Sequence, residues 1–394
     1  MRKVYILGAC RTPIGKMGGV LSSFSAVDLG AIVISEALKR TGIDPKEVDH
    51  AFMGCVIQAG LGQNVARQAC IKAGLPVTTT AETINAVCGS GLDCVNNAAR
   101  MIQTGDADVV IAGGMESMSN APYVLKKARF GYRMGNAEMI DAMINDALWD
   151  SFNDYHMGIT AENICERWEI SRDQLDEFSA DSQQKAIMAI LEGKFKDEIV
   201  PVKIQTKKET IIVDKDESPR AGTTSDTLKK LRPAFKADGA VTAGNSSGIN
   251  DGAAAVILVS EDKLKELQID PMAEWLGGAL GGCNPSVMGI GPVISTKKLL
   301  KKLNMTLDDI DLIEANEAFA AQSIVVSREL GFSKEKLNVN GGAIALGHPV
   351  GASGCRILVT LLHEMLKSNS ETGLATLCIG GGMGCSTIVR RTTV

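Results

Sequence analysis

No apolar stretch in this chain approaches the roughly 18 to 20 residues that span a bilayer, because its most hydrophobic windows are interrupted by Gly, Asp or Lys. The start, MRKVYILGACRTPIG, is basic but has only a few apolar residues before Arg11 and Pro13, too few for a secretory core. It reads as a first strand. An excess of positive charge is missing as well. Lys and Arg total 41 against 46 Asp and Glu, a net charge of -5, which is the wrong sign for tracking nucleic-acid phosphates. Ten cysteines occur without the paired CxxC spacing of a zinc site and too sparsely for a disulfide scaffold. A reducing, cytoplasmic location is therefore expected.

What is present is ordinary globular composition, with 45% hydrophobic and 22% charged residues over 394 positions, enough for two or three domains. Short β-branched runs such as Val4 to Leu7 and Val109 to Ile111 alternate with helical stretches such as Ala26 to Thr41, which stops at Gly42. That alternation predicts an α/β fold. Two segments, Thr83 to Met115 and Leu337 to Met383, share the order strand, Gly-rich turn, helix, strand, Gly-Gly. An internal duplication is the natural reading. Between the halves, 120–249 differs in character, with most of the Trp and Tyr and a charged helix from Arg172 to Glu192. The expected division is 1–119 with 250–271 as a first half, 120–249 as an inserted loop or lid, and 272–394 as a second half.

Four histidines limit the choice of imidazole base. His50 follows Asp49 in a polar turn and His363 sits mid-helix, where surface or packing roles suffice. His348 stands instead in GGAIALGHPVGASG, just before a predicted helix, where glycines let backbone approach a ligand. Cys10, Cys55, Cys70, Cys94, Cys165 and Cys355 have apolar neighbours and read as small buried hydrophobes. Cys88, in NAVCGSG, lies between a strand and a helix mouth, where free N–H groups and the positive dipole end favour a thiolate. Cys378, in CIGGGMG, has glycines on its far side that are expected to leave it approachable. A Cys and His pair supports nucleophilic acyl chemistry, with the imidazole taking the thiol proton. A second thiol can then move a carbon-bound proton.

At these residues the chain resembles the thiolase family, in its biosynthetic acetyl-CoA acetyltransferase branch. The matching signatures are NAVCGSG, GGMESMS, NDYHMGITAEN, NEAFAAQ, GGAIALGHPVGASG and CIGGGMG, and the likeness runs through the whole chain. It implies two βαβαβαββ halves in a five-layered α-β-α-β-α core with an inserted loop domain, assembled as a tetramer built from two dimers. It implies the acyl-accepting role for Cys88, the base for His348, and the acid/base acting on the second acetyl unit for Cys378. Asn316 would hold a water that with His348 forms one oxyanion hole, while the N–H groups of Cys88 and Gly380 form the other. His156, Met157, Arg220 and Ser247 resemble CoA contacts, and Met288 and Phe319 resemble the pocket wall near the acetyl group.

The implied reaction is the reversible Claisen condensation of two acetyl-CoA to acetoacetyl-CoA and CoA, with no metal or redox cofactor. A broader-chain degradative 3-ketoacyl-CoA thiolase is the alternative. Val65 and Ser246 depart from the commoner Pro and Ala of the family, which bears on the CoA loops only. A β-ketoacyl synthase would carry His or Asn where Cys378 stands. A dinucleotide fingerprint is disfavoured because GGGMG runs into STIVRR, a strand, where that motif requires a helix.

Overall fold

Along the central strands, apolar residues occupy both parities, the pattern of strands covered on both faces. Val109 and Ile111 pack into one hydrophobic cluster and Val110 and Ala112 into another. Ala255, Ile257 and Val259 are likewise separated from Ala254, Val256 and Leu258. The computed structural model, which describes residues 2–392, accounts for this with stacked layers.

The first half supplies β1 (Val4–Arg11), α1 (Ala26–Thr41), β2 (His50–Gly54), α2 (Val65–Lys72), β3 (Thr80–Ile84), α3 (Ser90–Thr104) and β4 (Val109–Ser117). The intervening segment holds α4 (Met157–Trp168) and α5 (Arg172–Leu191) among short strands. Then follow β5 (Asn250–Ser260), β6 (Ala273–Gly282), α6 (Gly291–Leu303), β7 (Leu312–Ala315), α7 (Ala320–Leu330), α8 (Val350–Ser368), β8 (Thr372–Ile379) and β9 (Met383–Arg391).

The hydrogen-bonded order β7-β8-β9-β6-β1-β5-β4-β2-β3 repeats outward from its middle. The first and last strands of each half, β1 with β5 and β6 with β9, pair antiparallel, and β2 with β4 and β7 with β8 pair parallel. Even the outer strand β3 has a counterpart, a parallel bridge from Leu337 to Ile313. This is the duplication expected from the sequence. The two half-sheets are joined where Tyr5 faces Glu274 and Ile6 faces Ala273. Helices α3 and α8 lie between them, each packed on strands of both halves. With α1 and α2 outside one half-sheet and α6 and α7 outside the other, the layers run α-β-α-β-α.

Local signals set several boundaries. Ser25 and Asp28 form a capping box at the start of α1, and Gly42 ends it at φ +68°. The two helices of the repeat begin at Ser90 and Val350, with Gly and Ala in first turns that carry no apolar periodicity to announce them in the sequence. His50 is also placed differently from expectation. It opens β2 with its ring buried, and its Nδ1 lies 2.6 Å from Thr80 Oγ1 on the parallel neighbour β3. His363 is buried in α8, with Nε2 3.0 Å from the Ala9 carbonyl.

The central helices cross at their N-terminal turns in backbone contact. A Cβ on Gly91 would lie 2.8 Å from the Cys355 N, and one on Gly354 would lie 2.4 Å from the Leu92 N. Both distances are below van der Waals contact, and the obstacle is backbone, which cannot rotate away. Gly354→Ala is therefore expected to destabilise the fold by at least about 2 kcal/mol through overpacking, read as a lower urea midpoint at unchanged slope.

Candidate active site

Cys88 sits on the turn from β3 into α3, and the turn is strained. Val87 holds φ +45°, an unusual conformation for a β-branched residue. Three hydrogen bonds hold it there. The Val87 N–H donates to Asn85 Oδ1 at 3.0 Å, the Ala86 N–H donates to Ser90 Oγ at 3.0 Å, and Ser90 Oγ donates to the Val87 carbonyl at 2.6 Å. The thiol is thereby presented at the mouth of α3, whose N-cap Gly89 offers no side-chain acceptor.

Burial pushes the Cys88 thiol up to about 11, although the Gly380 N–H and its own N–H bond to the sulfur and pull the other way. Glu116 adds a smaller upward push. The helix mouth is present, but desolvation outweighs it. Gly380 is thus already aimed at the Cys88 sulfur.

His348 is anchored from two directions. Its N–H donates to Asn250 Oδ1 at 2.9 Å, and its Nδ1 lies 2.5 Å from Ser353 Oγ. The Ser353 hydroxyl donates to the Pro349 carbonyl at 2.9 Å, so its oxygen is free to accept from Nδ1–H. That tautomer leaves the lone pair on Nε2, which is buried without a hydrogen-bond partner. Burial, followed by the nearby Arg356 charge, holds the imidazole down to about 3. At neutral pH the ring is an uncharged base. Asn316, following β7, places Nδ2 3.4 Å from His348 Nδ1, and its Oδ1 is buried without a partner.

Cys378 near the end of β8, which its neighbouring glycines were expected to leave approachable, is fully buried. It belongs to the same buried hydrophobic cluster as Met157, Met288 and Phe319. Burial raises its thiol well above the usual range, and the Cys88 thiol nearby adds to the rise.

A cavity of about 500 Å³ opens onto these groups. Cys88, His348 and Gly380 line it, together with Met157, Met288 and Phe319. Toward the entrance lie His156, Ser247 and the exposed Arg220. Asn316 and Cys378 sit outside its wall, next to His348 and Cys88 respectively. His156 caps α4, its Nδ1 accepting the Gly158 N–H at 3.0 Å, and its ring stacks on Phe235 at 4.7 Å. The Ser247 N–H donates to the Ala318 carbonyl at 3.0 Å and the Arg220 N–H to Gln183 Oε1 at 2.9 Å. Among the described residues, no group of three or more His, Cys, Asp or Glu side chains could hold a metal ion.

Sequence reasoning missed Asn250, Ser353 and Gln183. Ser353 lies inside the same glycine-rich motif as His348, five residues on, so it was the accessible one. Asn250 and Gln183 come from distant segments, and nothing local marks them.

Comparison with known proteins follows the same lines. The family described as Thiolase, N-terminal domain matches residues 4–262, and Thiolase, C-terminal domain matches 269–391. The chain is 58% identical over 392 residues to an acetyl-CoA acetyltransferase of Syntrophomonas wolfei, covering 98% of this chain and 99% of the relative. It is 51% identical to a probable acetyl-CoA acetyltransferase of Escherichia coli over 99% of this chain and 100% of the relative. Among solved structures it superposes on the Bacillus anthracis acetyl-CoA acetyltransferase with a TM-score of 0.97 at 44% identity, covering 100% of this chain and 99% of that one. Human mitochondrial 3-ketoacyl-CoA thiolase gives 0.97 at 42% identity, covering 99% of each chain.

The neutral thiol and imidazole pair makes a measurable prediction. Iodoacetamide should label Cys88 ahead of the enclosed Cys378. The Cys88 rate should climb about tenfold per pH unit through pH 7 to 9, since thiolate is the reactive form and the thiol is held well above that window. A profile already flat at pH 7 would instead reveal a thiolate paired with imidazolium.

Proposed function

Because the chain belongs to the thiolase family and is an acyltransferase, we propose that it is an acetyl-CoA C-acetyltransferase working through an acetyl-Cys88 intermediate. The observation that carries this reading is the meeting of Cys88, the Gly380 N–H and the unpartnered His348 Nε2 on one cavity. His348 takes the Cys88 proton as the sulfur attacks the thioester carbonyl of acetyl-CoA. The Cys88 and Gly380 N–H groups stabilise the resulting oxyanion. Cys378, raised and therefore protonated at rest, gives its proton to the departing CoA thiolate and becomes a thiolate itself.

That thiolate removes an α-proton from a second acetyl-CoA. Asn316, through a water it holds with His348, stabilises the enolate oxygen. The carbanion attacks the acetyl-Cys88 carbonyl, Cys88 leaves, and its sulfur recovers the proton from His348. The product is acetoacetyl-CoA, with one CoA released. Every proton lent by one thiol is thus returned within the cycle, leaving Cys378 protonated and His348 neutral.

His156, Met157, Arg220 and Ser247 along the cavity form the proposed CoA contacts. Met288 and Phe319 wall the acetyl end, which favours short acyl groups. The likeness to human 3-ketoacyl-CoA thiolase keeps the broader-chain reading as the second one. No metal or redox cofactor enters this scheme. The same reading divides the chain into 1–119 with 250–271, the inserted 120–249, and 272–394. A reducing cytoplasm fits ten unpaired cysteines. A homotetramer fits the inserted segment, where Phe130, Met134 and Phe152 are 88%, 98% and 73% exposed, an apolar surface that another copy would cover.

The deciding assay is CoA-dependent cleavage of acetoacetyl-CoA beside a longer 3-ketoacyl-CoA. Fast cleavage of the short substrate alone is expected, abolished in Cys88→Ala. Equal cleavage of both selects the broader-chain thiolase, and cleavage of neither by folded protein rejects both readings. Asn316→Ala should lower kcat by about a hundred- to a thousandfold, the usual loss for one oxyanion donor, with an unchanged thermal melt. Phe130→Asp combined with Met134→Asp should convert tetramer to dimer in light scattering, and an unchanged mass would exclude that surface from assembly.

A further inference from the structure

Glu116 near the end of β4 is fully buried, and the scheme above gives it no task. Its partners are three backbone N–H groups and a thiol, with no basic side chain among them. Oε2 accepts from the Val56 N–H at 3.0 Å and the Gly351 N–H at 2.9 Å, and Oε1 accepts from the Ile57 N–H at 3.1 Å and the Cys55 thiol at 3.7 Å. A carboxylate enclosed without a cation is costly, and its proteins are expected to pair or neutralise it. Here it joins three chain segments at one point.

Those segments converge on the catalytic pair. Val56 and Ile57 follow β2, and Gly351 lies in the first turn of α8, three residues beyond His348. The residue that precedes α8, Pro349, offers no side-chain acceptor to cap it, so Glu116 supplies the missing acceptor from a different strand. The carboxylate also acts electrostatically on the Cys88 thiol, pushing it up. One side chain therefore touches the placement of the base and the acidity of the nucleophile.

We infer that Glu116 is a positioning residue for the acyl-transfer step: by tethering the first turn of α8 to β4 and to the segment after β2 it holds His348 in register with Cys88. This rests on the proposed thiolase chemistry and extends it to a residue that does not touch substrate. Burial raises the Glu116 carboxyl to about 7 despite its three N–H bonds. The titratable side chains facing it are Cys55 and Cys88.

Two variants separate reach from charge. Glu116→Gln keeps the shape but removes the charge and turns one acceptor into a donor facing backbone N–H groups. Glu116→Asp keeps the charge but withdraws it by one methylene. In acetoacetyl-CoA thiolysis both should lose about ten- to a hundredfold in kcat, the scale of an angstrom-sized misplacement, with KM within about twofold of wild type. Cys88 alkylation by iodoacetamide, read separately against pH, should shift to lower pH in Glu116→Gln and stay put in Glu116→Asp. Wild-type kcat in either folded variant overturns the inference. So does a loss of kcat with a matching rise in KM and no alkylation shift in Glu116→Gln, the mark of a merely structural role. Should Glu116→Gln fail to fold, Glu116→Asp decides by its kcat. Absence of thiolysis in wild type would reject the thiolase reading, and the alkylation profiles would still judge Glu116.

Discussion

The backbone contact between the N-terminal turns of α3 and α8 is the constraint on which the site depends. Each helix begins beside a residue that lines the cavity, Cys88 just before α3 and His348 just before α8. Bringing two helix starts this close requires that no side chain intervene, and Gly91 and Gly354 meet that requirement from opposite sides. The two half-sheets then serve as the frame that presses these helices together, each helix buried between strands of both halves. The duplication thus shapes the cavity: Cys88 and His348 reach it from equivalent places in the two halves.

Enclosure between layers also governs the electrostatics. In water, a helix mouth favours a thiolate and an imidazole sits near neutrality. Here desolvation dominates, raising the thiols of Cys88 and Cys378 and lowering His348. The consequence is a site at rest without charges on its three proton-carrying groups. The N–H groups of Gly380 and Cys88 itself, directed at the Cys88 sulfur, only partly offset its rise. Proton transfers in such a medium are sensitive to placement, which gives the tethers on His348 from Asn250 and Ser353 their importance.

Much of this was legible in the sequence where the signal was local. Helix α1 could be read to its last residue, because Ser25 and Gly42 mark its ends. Cys88 and His348 stood out because glycine-rich turns flank them. The reading failed where the environment was non-local. Cys378 has glycines beside it in sequence yet is fully buried, in a cluster that also holds Met157, Met288 and Phe319 from elsewhere in the chain. His50 looks like a turn residue because its neighbours are polar, but parallel pairing with β3 buries it.

The sequence by itself determined the α/β alternation, the repeat, and the residue types able to perform acyl transfer, since periodicity, turn chemistry and nucleophile type are properties of short stretches. Only the tertiary structure decided the protonation states and the partners. Desolvation depends on how many layers surround a group. The bonds from Asn250 to His348, from Gly380 to Cys88, and from Glu116 to Gly351 each join positions more than 90 residues apart in the chain, a separation that no local pattern encodes.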